Sequence, residues 1–133
     1  MRTLRHCSSI SIQLIRRIER FAHLVEDRAP DEIFRIHFGI AKTCALRFLE
    51  TRQREDMNLA EADLNAFASG GPHAAAASIL LGLALSEPTD RRDPKRALEL
   101  LEQGFRIEAV PAEIEDPARA QKRLEELRAE LKR

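Results

Sequence analysis

The stretch AAAASILLGLALSEPTDRRDPKRALELLEQGF, residues 74–105, decides the fold of this chain. Its first half is rich in alanine and leucine, which favour helix. Pro88 predicts that this helix ends at about Ser86, because the residue before a proline avoids α geometry. Asp93-Pro94 is a cap followed by a proline and predicts the start of a second helix. The stretch therefore predicts a helical hairpin.

Two glycines of this hairpin carry separate predictions. Gly82 lies inside the first helix, where the lack of a side chain lets a partner helix approach closely. Gly104 follows the apolar residues of the second helix, and we expect it to end that helix in a left-handed conformation.

The same start and stop signals divide the rest of the chain. Apolar residues at three- and four-residue steps predict further helices with polar residues between them. The helix from residue 31 is apolar over more than half of its circumference, so we expect it to be central in the fold. The predicted helices span residues 9–27, 31 to 52 or 54, 57–68 with Asp56 as cap, 72 or 73 to 86, 94–103, and 117 to the end.

These helices predict an all-α fold of five or six helices in antiparallel hairpins, in a single domain over residues 1–133. Its architecture is either a short right-handed solenoid or a helical bundle. The expected parts are an N-terminal helix (1–30), a first hairpin (31–70), a second hairpin (72–106) and a C-terminal capping helix (112–133). Superposing Gly39 on Gly82 and Gly70 on Gly104 relates the two hairpins as an internal repeat.

The second hairpin resembles the tetratricopeptide and Sel1-like repeat families. The matching positions are Ala77, Leu81, Gly82 and Leu85 in the first helix, and Asp93, Lys95, Ala97, Leu101 and Gly104 in the second. The positions where both families carry Tyr or Trp hold no aromatic residue here. The resemblance implies a solenoid that binds peptides or proteins on a concave face.

Composition and charge narrow the function classes. The chain has 22 basic and 22 acidic residues, and only residues 1–30 lean basic, with six arginines against three acids. We therefore do not expect a nucleic-acid partner, since nucleic-acid-binding proteins concentrate basic residues on one face.

The cysteines, Cys7 and Cys44, do not form a disulfide framework, which predicts a reduced, cytoplasmic setting. No apolar run has the length of a membrane span.

No pattern in the chain predicts a catalytic, cofactor or metal site. Paired acids fall at predicted helix ends, where they cap helices and favour the dipole. His37 and Cys44 share a helix face and could hold zinc with a third ligand, but a buried structural cysteine is the preferred interpretation. Asp90-Arg91-Arg92-Asp93 is similar to a metal-binding DDxxD motif, yet its place in a turn favours a structural role.

The sequence predicts a non-enzymatic protein-protein interaction module, a small adaptor or assembly factor without cofactors. Its partner is a protein or peptide, and a homodimer is an added option. The candidate partner-binding residues are Arg35, Lys42, Arg47 and His73, which place polar groups along the first helices of the two hairpins. The alternative is a helical regulator that binds nucleic acid or an acidic partner through the Arg-rich first helix. A small helical enzyme or metal protein is a third hypothesis.

Overall fold

Five α-helices form the part of the protein that the computed structural model describes, residues 30–132. This confirms the all-α class, and these residues contain no strand. The predicted helix over residues 9–27 lies outside the described part. The helices are α1 (Pro30–Thr51), α2 (Arg54–Ala68), α3 (Ala74–Ser86), α4 (Pro94–Ile107) and α5 (Pro117–Leu131).

Aspartate-proline pairs start α4 and α5 as predicted. The Asp93 carboxylate accepts a hydrogen bond from the Arg96 backbone N–H at 3.1 Å, and the Asp116 carboxylate accepts one from the Arg119 N–H at 3.2 Å. Each bond satisfies a backbone donor that the first turn of a helix leaves without a partner. The chain between the predicted helices 57–68 and 72 or 73 to 86 forms the turn between α2 and α3, where Gly71 has a left-handed φ of 90°.

Two predicted helix ends are wrong. Asp56 does not cap α2, because the helix begins two residues earlier and Asp56 lies buried in its first turn. Gly104 does not end α4, which continues to Ile107. It is a buried interior residue of that helix, so its small size serves packing and not chain reversal.

The central helix is α3 and not α1, contrary to the sequence-based expectation. All thirteen residues of α3 are buried, and α3 contacts each of the other four helices. The apolar residues of α1 fall on more than one side, and the most buried of them, such as Ile33, Phe38 and Phe48, belong to the core shared with α2 and α3. Phe34, Ile36 and Ile40 of α1 remain exposed.

Glycines on both helices allow α3 and α4 to approach closely. A Cβ added at Gly82 would lie 2.9 Å from Leu101 Cγ, and one added at Gly104 would lie 2.5 Å from Ile79 Cγ1. Cβ atoms do not approach other heavy atoms this closely, so both positions require glycine. The close approach predicted at Gly82 is confirmed, and Gly104 provides a matching one from the opposite helix.

Successive helices pack against each other along the chain, and α3 also contacts α1 and α5. Helices α1 and α5 thus both lie against α3, with α2 packed on α1 and α3 and with α4 packed on α3 and α5. This arrangement is compatible with both architectures expected from the sequence, the short solenoid and the bundle. It places the α4–α5 connection, residues 108–116, beside α1.

Candidate interaction groove

A groove lies where α1, α3 and the start of α5 meet, with a volume of about 160 Å³. Its walls are aliphatic and its mouth carries two cations and two acids. The aliphatic side chains are Leu46, Leu49, Leu80, Leu83 and Ile114, and the polar ones are Lys42, Glu115, Asp116 and Arg119.

Helical spacing brings these side chains together. Lys42, Leu46 and Leu49 are four and three residues apart, so they lie on one side of α1. Leu80 and Leu83 form a similar pair on α3. The remaining side chains come from the α4–α5 connection and the first turn of α5. The groove therefore depends on how that connection is fastened.

Two polar contacts to Glu113 fasten the connection. The Lys42 ammonium donates a hydrogen bond to the Glu113 backbone carbonyl at 2.6 Å. The Nδ1 atom of His73 lies 2.9 and 3.0 Å from the two Glu113 carboxylate oxygens. An ionised carboxylate can only accept hydrogen bonds, so Nδ1 of His73 carries the proton. These contacts join α1 and the start of α3 to one residue of the connection.

His73 is a buried residue and not a surface one, since only 7% of it is exposed. Its ring stacks on Phe38 with centroids 4.5 Å apart and meets Phe67 edge-on at 5.8 Å. The ring is flat and amphipathic, so it packs against both aromatic rings while its Nδ1 atom reaches Glu113.

A buried acid, Glu87, forms ion pairs with two arginines beside the groove. Glu87, at the end of α3, is only 3% exposed. Its carboxylate lies 3.2 Å from the Arg52 guanidinium and 3.8 Å from that of Arg119. A buried carboxylate needs such partners, because an isolated charge is costly to remove from water. Glu87 thereby holds Arg119 at the mouth of the groove.

The structure brings together some of the four predicted binding residues and separates others. Lys42 lines the groove and His73 supports it from behind through Glu113. Arg35 is exposed and lies two helical turns before Lys42 on the same side of α1. Arg47 lies on another side of the helix, where it pairs with Asp56 at 3.4 Å.

Sequence reasoning missed most of the groove walls. Leu46 shares one side of α1 with Lys42 and Leu49, and this spacing was the available signal. Ile114, Glu115 and Arg119 carry no comparable signal, because their positions depend on the path of the α4–α5 connection across α1.

The residues considered for metal chemistry have structural surroundings. Burial raises the pKa of the Cys44 thiol, the Asp56 carboxylate raises it further, Arg47 lowers it, and Asp63 raises it slightly. A raised pKa keeps the thiol protonated, whereas metal binding needs the thiolate. Over residues 30–132, no group of three or more His, Cys, Asp or Glu side chains is placed to hold a metal ion.

The Asp90–Asp93 motif connects helices. Asp90 pairs with Arg54, and Arg91 Nη1 lies 3.1 Å from a Glu61 carboxylate oxygen, both partners being on α2. Arg92 pairs with Glu130 of α5 at 2.6 Å, and Asp93 caps α4. Each of the four side chains therefore has a structural partner.

A wider surface depression of about 530 Å³ lies between α4 and α5. It is lined by Phe105, Ala109, Ala118, Gln121, Lys122, Leu124 and Glu125. Few of these side chains are large and apolar, so the depression offers a ligand less burial than the smaller groove does. We therefore take the α1–α3–α5 groove as the candidate site.

No protein-family model, curated protein or solved structure matches this chain. Among the described residues, none of the helices combines the length and the apolar character needed to cross a membrane.

Proposed function

We propose that the protein is a non-enzymatic interaction module, an adaptor or assembly factor that binds a peptide segment of a partner protein in the α1–α3–α5 groove. The observation that carries the proposal is the groove itself, in which five aliphatic side chains lie beneath a rim of opposite charges. This combination suits a peptide, whose apolar side chain needs burial while its backbone needs hydrogen-bonding groups nearby.

The size of the groove favours a side chain over a cofactor. Pockets for small molecules commonly measure about 300–1,000 Å³, whereas this groove measures about 160 Å³. That is room for one aliphatic side chain. Burying such a side chain contributes about 1.5–3 kcal/mol, which anchors a segment without giving high affinity by itself.

Charges near the groove give the partner a preferred chemistry. Arg35 is exposed on the same side of α1 and has no ion-pair partner among residues 30–132. An acidic residue near the aliphatic anchor would gain a charge-assisted contact with Arg35. We therefore expect the partner segment to combine a Leu- or Ile-type anchor with a nearby acid.

The repeat-family resemblance and the cysteine content extend the proposal. The α3–α4 hairpin carries the residues that resemble tetratricopeptide and Sel1-like repeats, and such repeats act as binding scaffolds. The partly buried thiol of Cys44 is consistent with the reduced, cytoplasmic setting that we propose.

A random peptide library displayed on phage tests the proposal. We expect selection on the purified protein to enrich peptides that share an aliphatic residue with an acid nearby. Fluorescence anisotropy then measures the affinity of an enriched peptide for each variant. Leu46→Glu places a charge in the groove and should weaken binding about tenfold or more, since it removes burial worth roughly 1.5 kcal/mol.

Thr43→Glu is the matched control. It adds the same charge to an exposed position of α1 outside the groove lining. Its affinity should stay close to that of the unchanged protein, and circular dichroism should show the same helix content for both variants. Enriched peptides that bind Leu46→Glu as tightly as the unchanged protein would exclude this groove as the binding site.

A further inference from the structure

A largely apolar patch of α1 is exposed on the side of the helix that points away from the core. Four residues at three- and four-residue steps share this face. They are Ile36, Gly39, Ile40 and Thr43. Ile36 is 40% exposed and Ile40 is 57% exposed. Ala45, which is fully buried in the core, lies two residues after Thr43 and therefore about 200° around the helix.

Gly39, at the centre of this patch, has no packing role within the described part of the chain. A Cβ added there would meet nothing within 4 Å, whereas a Cβ at Gly82 or Gly104 would lie less than 3.0 Å from the facing helix. Glycine inside a helix is destabilising relative to alanine. What Gly39 offers is a gap beside Ile36 and Ile40 that lets another helix approach α1 closely.

The charges at the two ends of the patch are opposite. Glu32 lies four residues before Ile36 and Arg47 lies four residues after Thr43, so both continue the same face of α1. Glu32 is exposed, and the Arg47 side chain is 60% exposed in its pair with Asp56. The partner that fits this face therefore presents an apolar centre between a base and an acid.

A second copy of α1 meets this requirement. Two copies that pair antiparallel about a twofold axis at the centre of the patch place each half of the patch opposite the other half. The facing pairs are Gly39 with Ile40, Ile36 with Thr43, and Glu32 with Arg47. One surface thus supplies both members of every pair, as a twofold interface requires.

These pairs are complementary in size and in hydrogen bonding. The Ile40 side chain of one copy enters the space that Gly39 leaves on the other. The Thr43 hydroxyl donates a hydrogen bond to the Gly39 carbonyl at 2.8 Å, so its burial leaves no hydroxyl without a partner. Arg47 has five N–H donors, so it can bind Glu32 of the other copy while it keeps its own ion pair.

We propose that this patch is a homodimer interface, through which two copies of the chain pair antiparallel along α1. The interface is small, so we expect a weak dimer that dissociates on dilution. Lys42, which lines the peptide groove, lies one residue before Thr43 and so about 100° around the helix. The second copy and a peptide in the groove therefore occupy different sides of α1, and the proposal does not depend on the function proposed for the groove.

Sedimentation equilibrium of the full-length chain over a range of concentrations measures the dissociation constant of the dimer. Ile40→Glu replaces the central side chain of the patch with a charge. The twofold axis places this change in the interface twice, so we expect the dissociation constant to rise about a hundredfold, tenfold for each copy. Ile107→Glu is the matched control, because residue 107 is 50% exposed on α4, which does not contact α1. It should leave the constant unchanged.

Gly39→Ala separates the interface from the stability of a single chain. Alanine favours helix, so the substitution should not destabilise a dilute, monomeric sample. In the dimer its Cβ takes the space of Ile40 of the other copy, and we expect the dissociation constant to rise about tenfold. Glu32→Arg places two cations opposite each other at both ends, so it should weaken the dimer severalfold at low salt and less at high salt.

A chain that stays monomeric at its highest soluble concentration would overturn the proposal, since another part of the chain or another protein would then cover the patch. A dimer that Ile40→Glu leaves intact would overturn it as well, because the contact would lie elsewhere. A Glu32→Arg dimer as tight as that of the unchanged protein at low salt would exclude the antiparallel arrangement.

Discussion

The two helices pack against each other differently in the two helical hairpins of this protein. In the α3–α4 hairpin, Gly82 and Gly104 let the backbones of the two helices approach closely. In the α1–α2 hairpin, the superposed glycines Gly39 and Gly70 are exposed, and a Cβ added at either would meet nothing within 4 Å. Large side chains such as Phe48 and Met57 fill the core on that side.

This difference shows that matching residue types do not imply matching roles. The glycines that relate the hairpins in sequence contribute to packing in the second hairpin only. The second hairpin is sensitive to added volume, whereas the first depends on large side chains and on polar contacts to its surroundings. Substitutions at equivalent positions should therefore have opposite effects.

The largest expected effect comes from alanine at the two kinds of glycine. Gly104→Ala places a Cβ 2.5 Å from Ile79 Cγ1 and 3.0 Å from the Ala75 carbonyl oxygen, which is backbone and cannot move aside. We expect a loss of about 2–3 kcal/mol in the free energy of unfolding. Gly39→Ala should instead stabilise by about 0.5–1 kcal/mol, because alanine favours helix. Urea denaturation measures both, and a loss in both variants would contradict the comparison.

Loss of the His73 ring should have the next largest effect. His73→Ala removes the stacking contact with Phe38 and the hydrogen bond to Glu113. We expect a loss of about 2 kcal/mol from this buried site. Glu113→Gln keeps the aromatic stack and changes a carboxylate that is 35% exposed, so it should cost less than about 1 kcal/mol. Equal losses in urea denaturation would mean that the stack contributes nothing.

Substitutions at the helix caps of the two hairpins should change the free energy of unfolding by a smaller amount than the His73 substitution. Asp93 caps α4, whereas Gln53 at the start of α2 makes no capping hydrogen bond through its side chain. Asp93→Ala should therefore destabilise by about 1 kcal/mol and Gln53→Asp should stabilise by roughly half as much. Thermal unfolding followed by circular dichroism compares the melting temperatures of the two variants. An unchanged or lower melting temperature for Gln53→Asp would show that an aspartate at this position does not stabilise α2.

The smallest expected effect is a pH dependence of the protein's stability, caused by the Cys44 thiol in the α1–α2 hairpin. Burial, with Asp56, raises the pKa of the Cys44 thiol above its ordinary value of 9.0. The folded state therefore holds this proton more tightly than the unfolded state does. The associated stability is present below pH 9.0 and is lost as pH rises through the raised pKa. Cys44→Ala should flatten this alkaline decline in urea midpoints, and an identical decline in both proteins would refute it.

Local signals in the sequence were sufficient for much of the fold. Proline and aspartate act on the residues beside them, so the starts of α4 and α5 and the end of α3 could be predicted. Gly104 was misassigned because a glycine after an apolar stripe has the same local pattern whether it ends a helix or packs inside one. Only the distance to Ile79 separates the two cases.

The candidate groove was less predictable than the helices. Lys42 was identified because it is a polar residue on an apolar helix. His73 was identified because it places a polar group at the start of the second hairpin, whereas its surroundings, Phe38, Phe67 and Glu113, were not predicted. Those partners come from three separate parts of the chain, and no periodic pattern indicates that they meet.

The α3–α4 contact has a consequence for recognising distant relatives of this protein. Ala75 and Gly82 are seven residues apart, as are Ala97 and Gly104, and each glycine faces the carbonyl of the alanine on the other helix. We expect evolution to keep small residues at these four positions while the surrounding leucines exchange for other aliphatic residues. A search for two small residues seven apart, repeated on two helices of a hairpin, would then find relatives that overall similarity misses.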